Sequence, residues 1–277
     1  MGKGPHPLRR STDRAPGGDG RTVSLVVPVR PGDRDTGRLL ARVPSDVREV
    51  VLVGRGTSTN TGTSTSTSTS TSTSTDMRTA HGTVRVRRLG PWNCEAGDIP
   101  HAGLLAATGD HIVLMGADGS MSPEEIPHYL HYLDSGYDFV KGSRFIAGGD
   151  FADYPLLRRL GHSALLRLAR QLYGQHLTDL WYGFCAFRRG FVDLLDLRED
   201  GVELGAELVT HALHYGLRIA EVPSLELPHP HGSPHPRTFR DGARILGGLL
   251  QERPHNALHR LAPATRPEKH AKQTHRA

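Results

Sequence analysis

An α/β fold built on a mostly parallel sheet is what this sequence predicts, and three observations carry the prediction. The runs Val23-Ser24-Leu25-Val26-Val27-Pro28 and Glu49-Val50-Val51-Leu52-Val53 read as buried strands, because their apolar residues are continuous rather than alternating. Leu39, Leu40 and Val43 stand between them at helical spacing, so the order is strand, helix, strand and the pair is parallel. The third observation is His111-Ile112-Val113-Leu114-Met115, the clearest core strand, followed directly by Gly116-Ala117-Asp118-Gly119-Ser120.

The remaining elements follow from local pattern. Val84-Arg85-Val86 alternates as a short strand, and Leu104-Leu105-Ala106-Ala107 reads as a helix closing on a glycine cap at Thr108-Gly109. Ser122-Pro123-Glu124-Glu125 has the composition of a capping box, with Ser as N-cap, Pro in the first position and Glu in the third. Tyr137–Gly142 reads as a strand leading into Gly142-Ser143-Arg144-Phe145. From Leu156 to Tyr173, Leu156, Leu157, Leu160, Ala164, Leu165, Leu168 and Leu172 share one side, with Arg158, Arg159, Arg167 and Arg170 elsewhere, which predicts a basic amphipathic helix. Ile219–Pro223 reads as a late strand and Arg240–Leu250 as a last helix.

One domain over residues 21–251 suits a chain of 277 residues whose apolar side chains concentrate there. Residues 1–20 and the His, Lys, Arg and Pro-rich stretch 252–277 have too few apolar groups to offset the entropy of ordering, so both are expected as disordered tails. Residues 57–75 are nearly pure Ser and Thr, in strict alternation from Thr63 onward. They have nothing apolar to bury and are expected as a low-complexity surface loop interrupting the domain.

A formal charge of +5 suggests an anionic partner: a nucleotide, a phospholipid surface or nucleic acid. No recognition motif accompanies the charge, so nucleic acid is not expected. Cys94 and Cys185, the two cysteines, lie far apart and give no disulfide framework, which fits a reducing cytosol. No run approaches the ~18 to 20 apolar residues of a membrane span, and the expectation is a cytoplasmic protein, soluble or peripheral at the inner face of the membrane.

Ligands of open α/β folds bind at the carboxyl ends of the strands, where Asp118 stands. A carboxylate there, followed by Gly-Ser, can hold a hard divalent cation that neutralises a diphosphate leaving group; Asp-Gly is equally a common turn signal, and both readings stand. The pairs His128/His131 and His211/His214 share helix faces without a third ligand, and His229, His231 and His235 lack the spacing of a structural zinc site. There is no P-loop and no strand-borne dinucleotide fingerprint.

Ala107-Thr108-Gly109-Asp110, the strand to Met115 and Gly116-Ala117-Asp118-Gly119-Ser120 together resemble family 2 glycosyltransferases. So do Pro123-Glu124-Glu125-Ile126-Pro127, Gly142-Ser143-Arg144-Phe145, Arg158-Arg159-Leu160-Gly161, Thr178-Asp179-Leu180-Trp181-Tyr182-Gly183-Phe184 and Ile219-Ala220-Glu221-Val222-Pro223. More narrowly, the chain resembles the dolichyl- or polyprenyl-phosphate sugar transferase branch over most of residues 21–251. The resemblance implies a GT-A fold, a nucleotide-sugar donor, a lipid-phosphate acceptor and Mg2+ or Mn2+ at an Asp-x-Asp motif. It implies catalytic roles for Asp118 and Arg144, with Asp118 as metal ligand. Pro28, Gly97 and Asp118 fall on the donor side, and Arg144, Arg158, Arg159, Tyr182, Glu203 and Glu207 on the acceptor side.

A guanidinium suits the acceptor role because its fixed fork pairs two phosphate oxygens; the commoner fate of an arginine is a surface salt bridge. On the donor side the chain departs from the family. Gly116 stands for the first acid of Asp-x-Asp, Pro31-Gly32 for an Asn-Glu pair, Gly54 for the Asp that reads the base and Ala96 for a lysine, leaving Gly97. The sequence therefore supports two readings: a sugar transferase with a weakened donor site, or a catalytically silent protein of the same fold that binds a lipid phosphate or a partner enzyme.

Overall fold

The computed structural model describes residues 20–29, 33, 35–54, 73–89, 98–147, 150–151, 156–195, 203–227, 243 and 246–247. Strands β1 (Val23–Val29) and β2 (Val47–Gly54) pair in parallel with α1 (Thr36–Ala41) between them. An antiparallel hairpin follows, β3 (Thr73–Thr79) and β4 (Gly82–Leu89), and β4 lies parallel to β2. Helix α2 (Asp98–Ala106) returns the chain to β5 (His111–Leu114), which pairs in parallel with the other edge of β1. Then come α3 (Ile126–Asp134), β6 (Phe139–Ser143), the short β7 (Asp150–Phe151) and α4 (Leu156–Tyr173). The described order ends with β8 (Cys185–Arg188), α5 (Glu203–His214), β9 (Ile219–Pro223) and β10 (Leu225–Glu226).

The main sheet runs β3-β4-β2-β1-β5-β8-β6-β9, and β10 pairs with β7 beside it. Its two faces are both apolar, as continuous hydrophobic strands require. Val26, Val51, Ile112, Leu114, Phe139 and Phe187 point to one side, where α2, α4 and α5 cover them. Leu25, Val27, Leu52, Val113, Val140 and Phe184 point to the other, beneath α1 and α3. Helix α4 lays Leu172 and Ala169 into the core with Leu165 and Leu168 half-buried, while Leu160 stays 61% exposed.

Several expectations are corrected. Thr73–Thr75, the end of the Ser/Thr tract, belongs to edge strand β3, because β-branched threonines alternate compatibly opposite Val86–Arg88. Ser122 stands at the N-cap of a 3-10 turn, Pro123–Glu125, with Pro following as expected, but no capping box forms: its hydroxyl meets Glu124 and Arg42, and Glu125 reaches across to Ser224 and the Leu225 amide. Gly109 is not a left-handed cap either. It is glycine because a Cβ there would stand 2.7 Å from the backbone nitrogen of Ser24, so it serves close approach. Strand β8, antiparallel between β5 and β6, carries no local signal that distinguishes it from its neighbours. Of the predicted last helix, only Ala243, Leu246 and Gly247 lie among the described residues. Both terminal tails lie outside the described residues, except Gly20.

Candidate active site

The sheet order decides where a ligand crevice forms. From β1 the chain runs outward to β2 and β4, then returns to lay β5 on the opposite edge of β1, so the carboxyl ends of β1 and β5 flank a topological switch point. Pro28 lies near the carboxyl end of β1, Gly54 ends the neighbouring β2, and Gly116–Asp118 follow β5. Asp118 is half-buried, and its Oδ1 accepts the Ser120 amide at 3.0 Å and the Ser120 hydroxyl at 2.7 Å, which fixes the turn. Gly119 takes φ of 80°, so the turn needs glycine there, and the Asp35 carboxylate packs where its side chain would be. Met121 Sδ accepts the Gly116 amide at 3.2 Å and tucks the loop against Gly183.

The two donor-side glycines differ in kind. A Cβ at Gly54 would lie 2.1 Å from the Val29 carbonyl oxygen, so β1 itself closes this position to any side chain. A Cβ at Gly116 would meet nothing nearer than Asp118 Oδ1 at 3.5 Å, an ordinary contact.

Strand β6 is parallel to β5 through the intervening β8, so Arg144 follows it onto the same edge. Its guanidinium is 6% exposed and fully engaged. Nε donates to Asp179 Oδ2 at 2.7 Å, Nη2 to Asp179 Oδ1 at 3.1 Å and Nη1 to Glu226 Oε2 at 2.9 Å. Phe145 and Tyr182 stack against it, with ring centroids 5.6 and 5.1 Å from Cζ. Asp179 also accepts the Trp181 and Tyr182 amides, so one buried carboxylate shapes the whole turn. Burial alone would raise its pKa, but Arg144 and Lys141 hold it well below the carboxylate range. Burial opposes the charge on Arg144 in turn, and Asp179 and Glu226 outweigh it, raising the guanidinium further.

Behind this turn Glu221 accepts the Thr178 and Asp179 amides and the Thr178 hydroxyl. Lys141 lies fully buried beside them, donating to the Gly142 and Tyr182 carbonyls at 3.2 and 3.5 Å; burial lowers its pKa, with Asp179 and Glu221 opposing. Tyr182 donates to the Leu225 carbonyl, and its phenol is pushed up by burial. From β10 the chain continues to Leu227, whose amide donates to the Ser120 carbonyl at 2.8 Å. The Arg144 cluster and the Asp118 turn are therefore joined by one hydrogen-bonded path.

Of the residues singled out in the sequence, Arg144 and Tyr182 are in direct contact, and Asp118 joins them through Ser120 and Leu227. Glu207 is half-buried on α5, whose Gly205 packs so closely on Gly183 that a Cβ would lie 2.9 Å from its Cα. Glu203 opens α5, and Arg158 and Arg159 lie in the first turn of α4; the side chains of these three, and all of Gly97, Ala96 and Pro31-Gly32, fall outside the described residues. Sequence reasoning missed Glu226 and Ser224, which sit in a segment with no motif, and read Glu221 only as part of a strand.

Residues 99–195 match the family model Glycosyl transferase family 2. The chain resembles a family 2 glycosyltransferase. It is 32% identical over 115 residues to polyprenol monophosphomannose synthase of Mycolicibacterium smegmatis, covering 40% of this chain and 43% of that one. It is 34% identical over 122 residues to dolichyl-phosphate hexose transferase of Haloferax volcanii, covering 44% and 52%. The chain thus spans about half the length of these relatives. Among solved structures, glucosyl-3-phosphoglycerate synthase from Mycobacterium tuberculosis with Mn2+, UDP and glucosyl-3-phosphoglycerate superposes with a TM-score of 0.58 at 18% identity, over 84% of this chain and 80% of that one. Its complex with Mg2+ and UDP gives 0.60 at 18% identity over the same shares. The fold is GT-A.

Proposed function

We propose that this chain transfers a sugar from a nucleotide-sugar donor at the β1/β5 crevice to a polyprenyl phosphate or another acceptor approaching Arg144 and Tyr182. One observation carries the reading: Asp118 and the Arg144–Asp179–Tyr182 cluster share the carboxyl edge of the sheet and are linked through the Leu227–Ser120 hydrogen bond. The names of the relatives support the acceptor class, and the ligands of the solved neighbours support the donor class.

A phosphate acceptor is already an anionic nucleophile, so the residues have to orient it and steady the departing diphosphate rather than remove a proton. Asp179 and Glu221 would do the first by fixing the turn around Arg144. Asp118 offers one carboxylate to Mg2+ or Mn2+, and no group of three or more His, Cys, Asp or Glu with metal-holding geometry occurs among the described residues. Such a site fits a cation whose other ligands are donor phosphates and water, and the cation would supply charge neutralisation to the leaving group.

The closed position at Gly54 and the missing acid at Gly116 favour a second reading, a silent protein that keeps the acceptor half for binding. Calorimetric titration with UDP- and GDP-sugars in manganese, followed by transfer of labelled sugar to a polyprenyl phosphate, separates the two. Saturable donor binding with turnover supports the transferase, and acceptor binding without any donor binding supports the silent form. No helix among the described residues is long and apolar enough to cross a membrane. Salt-sensitive sedimentation with anionic liposomes is expected, and none with neutral ones.

A further inference from the structure

The two edges of the Arg144 guanidinium are held by unlike partners. Nε and Nη2 face Asp179, which is 0% exposed and also organises the Trp181 and Tyr182 amides. Nη1 faces Glu226, which is 25% exposed and makes its contact from the two-residue strand β10. The backbone around Glu226 is tethered independently of its side chain. Glu125 accepts the Leu225 amide, Tyr182 donates to the Leu225 carbonyl, and the Leu227 amide donates to Ser120. Asp179 cannot leave without opening the turn, whereas the Glu226 carboxylate can leave by rotation of its own side chain.

We infer that Glu226 is an internal stand-in for the anionic group of the acceptor: its carboxylate closes the outward edge of Arg144, and a phosphate takes that edge only by displacing it. This rests on the acceptor reading proposed above. The device would select by charge. A dianionic phosphate competes with one carboxylate for a guanidinium because it brings more charge and can bind two N–H groups at once. A neutral hydroxyl cannot. The outward edge of Arg144 would therefore be paired at all times, with Glu226 before the acceptor arrives and with phosphate afterwards, while Asp179 holds the other edge throughout.

The test needs no donor and no turnover. Inorganic phosphate and dodecyl phosphate, below its micellar concentration, are titrated calorimetrically into the parent protein, Glu226→Gln, Arg144→Lys and the double variant. Glutamine keeps the shape and one acceptor oxygen but removes the competing charge, so Glu226→Gln should bind phosphate about tenfold tighter, in line with the strength of a charge-assisted hydrogen bond. That gain should vanish when Arg144→Lys is added. An equal gain for both probes supports a site for phosphate of any source, and a gain mainly for dodecyl phosphate supports a lipid headgroup. Unchanged affinity for both probes in a folded Glu226→Gln would overturn the inference, as would a gain that persists with Arg144→Lys. Absence of sugar transfer alongside a phosphate gain would count against the transferase reading and leave this one standing.

Discussion

Placing a carboxylate at position 116 separates a donor site that can be rebuilt from one that has been repacked. In Gly116→Asp the new Cβ would lie 3.5 Å from Asp118 Oδ1 and 3.8 Å from Oδ2, so the chain accepts it without backbone movement. Two carboxylates about 4 Å apart repel by roughly 1 kcal/mol in water and roughly 4 kcal/mol at the effective dielectric of a protein surface. The half-buried Asp118 sits between these limits. Without metal, the variant should therefore melt several degrees below the parent, since ~1 kcal/mol corresponds to about 2 to 4 °C in a domain of this size. Manganese should recover that loss, because a divalent cation turns the repulsion into two attractions, and nucleotide-diphosphate binding should become more manganese-dependent than in the parent. Thermal melts with and without manganese, followed by titration of UDP and GDP, read both effects. A folded Gly116→Asp whose melting temperature ignores manganese would show that the two side chains do not share a site. The companion change has the opposite outlook. At Gly54 even Gly54→Ala puts a methyl 2.1 Å from the Val29 carbonyl oxygen and must force β1 away from β2, at about 3 kcal/mol, so Gly54→Asp restores no base contact.

Further outcomes follow from the described contacts. His111 is buried, its Nδ1 without a hydrogen-bond partner among the described residues, and burial together with Arg188 and Arg21 lowers its pKa from 6.5 to about 4. Because the unfolded chain takes up this proton first, stability should be full above pH 6.5 and fall as pH drops toward 4, by about 3 kcal/mol; His111→Gln should flatten that slope in urea titrations at pH 7.5 and 5. Asp179→Asn leaves the buried Arg144 with only Glu226 as a charged partner among the described residues and should cost about 3 to 5 kcal/mol, read by chemical denaturation; a loss under 1 kcal/mol would refute its central place. Replacing residues 57–72 by a short Gly-Ser link should leave the melting temperature unchanged. Extending the replacement through Thr75 should lower stability by about 1 kcal/mol, as cross-strand pairs with β4 are lost.

The parallel half of the sheet was legible because its strands announce themselves. Within β1, β2 and β5, Leu25–Val27, Val50–Val53 and Ile112–Leu114 are continuous apolar runs, and only a sheet covered on both faces can bury such runs. Asp118 was a candidate because it follows a strand at its carboxyl end, and Arg144 because Gly142-Ser143-Arg144-Phe145 resembles the family motif; the structure puts both after strands of one sheet. What escaped was set by partners distant in sequence. Ser122-Pro123-Glu124-Glu125 satisfies the local rule for a capping box, yet Glu125 finds Ser224 and Leu225 across the sheet edge and Ser122 finds Arg42. Gly109 satisfies the rule for a cap, yet its place is dictated by contact with Ser24. Glu226 could not be found at all, since one acidic residue after a strand carries no pattern until Arg144 is seen 2.9 Å away.

The edge strand β3 gives the Ser/Thr tract an unusual freedom of length. Side chains of a strand repeat every two residues, and the tract repeats every two residues, so inserting or deleting one Ser-Thr unit delivers the same side chain to the same face. Register against β4 is set downstream instead, by Asp76 opposite Arg85, Met77 opposite Val84 and the reversal at Ala80-His81. A gain or loss of a single residue would be felt only between Thr73 and Asp76, where it would exchange serine and threonine between the two faces of β3. Copies of this chain whose tracts differ by even numbers of residues should therefore share one fold and one melting temperature, and the tract can lengthen or shorten in steps of two without the sheet registering the change.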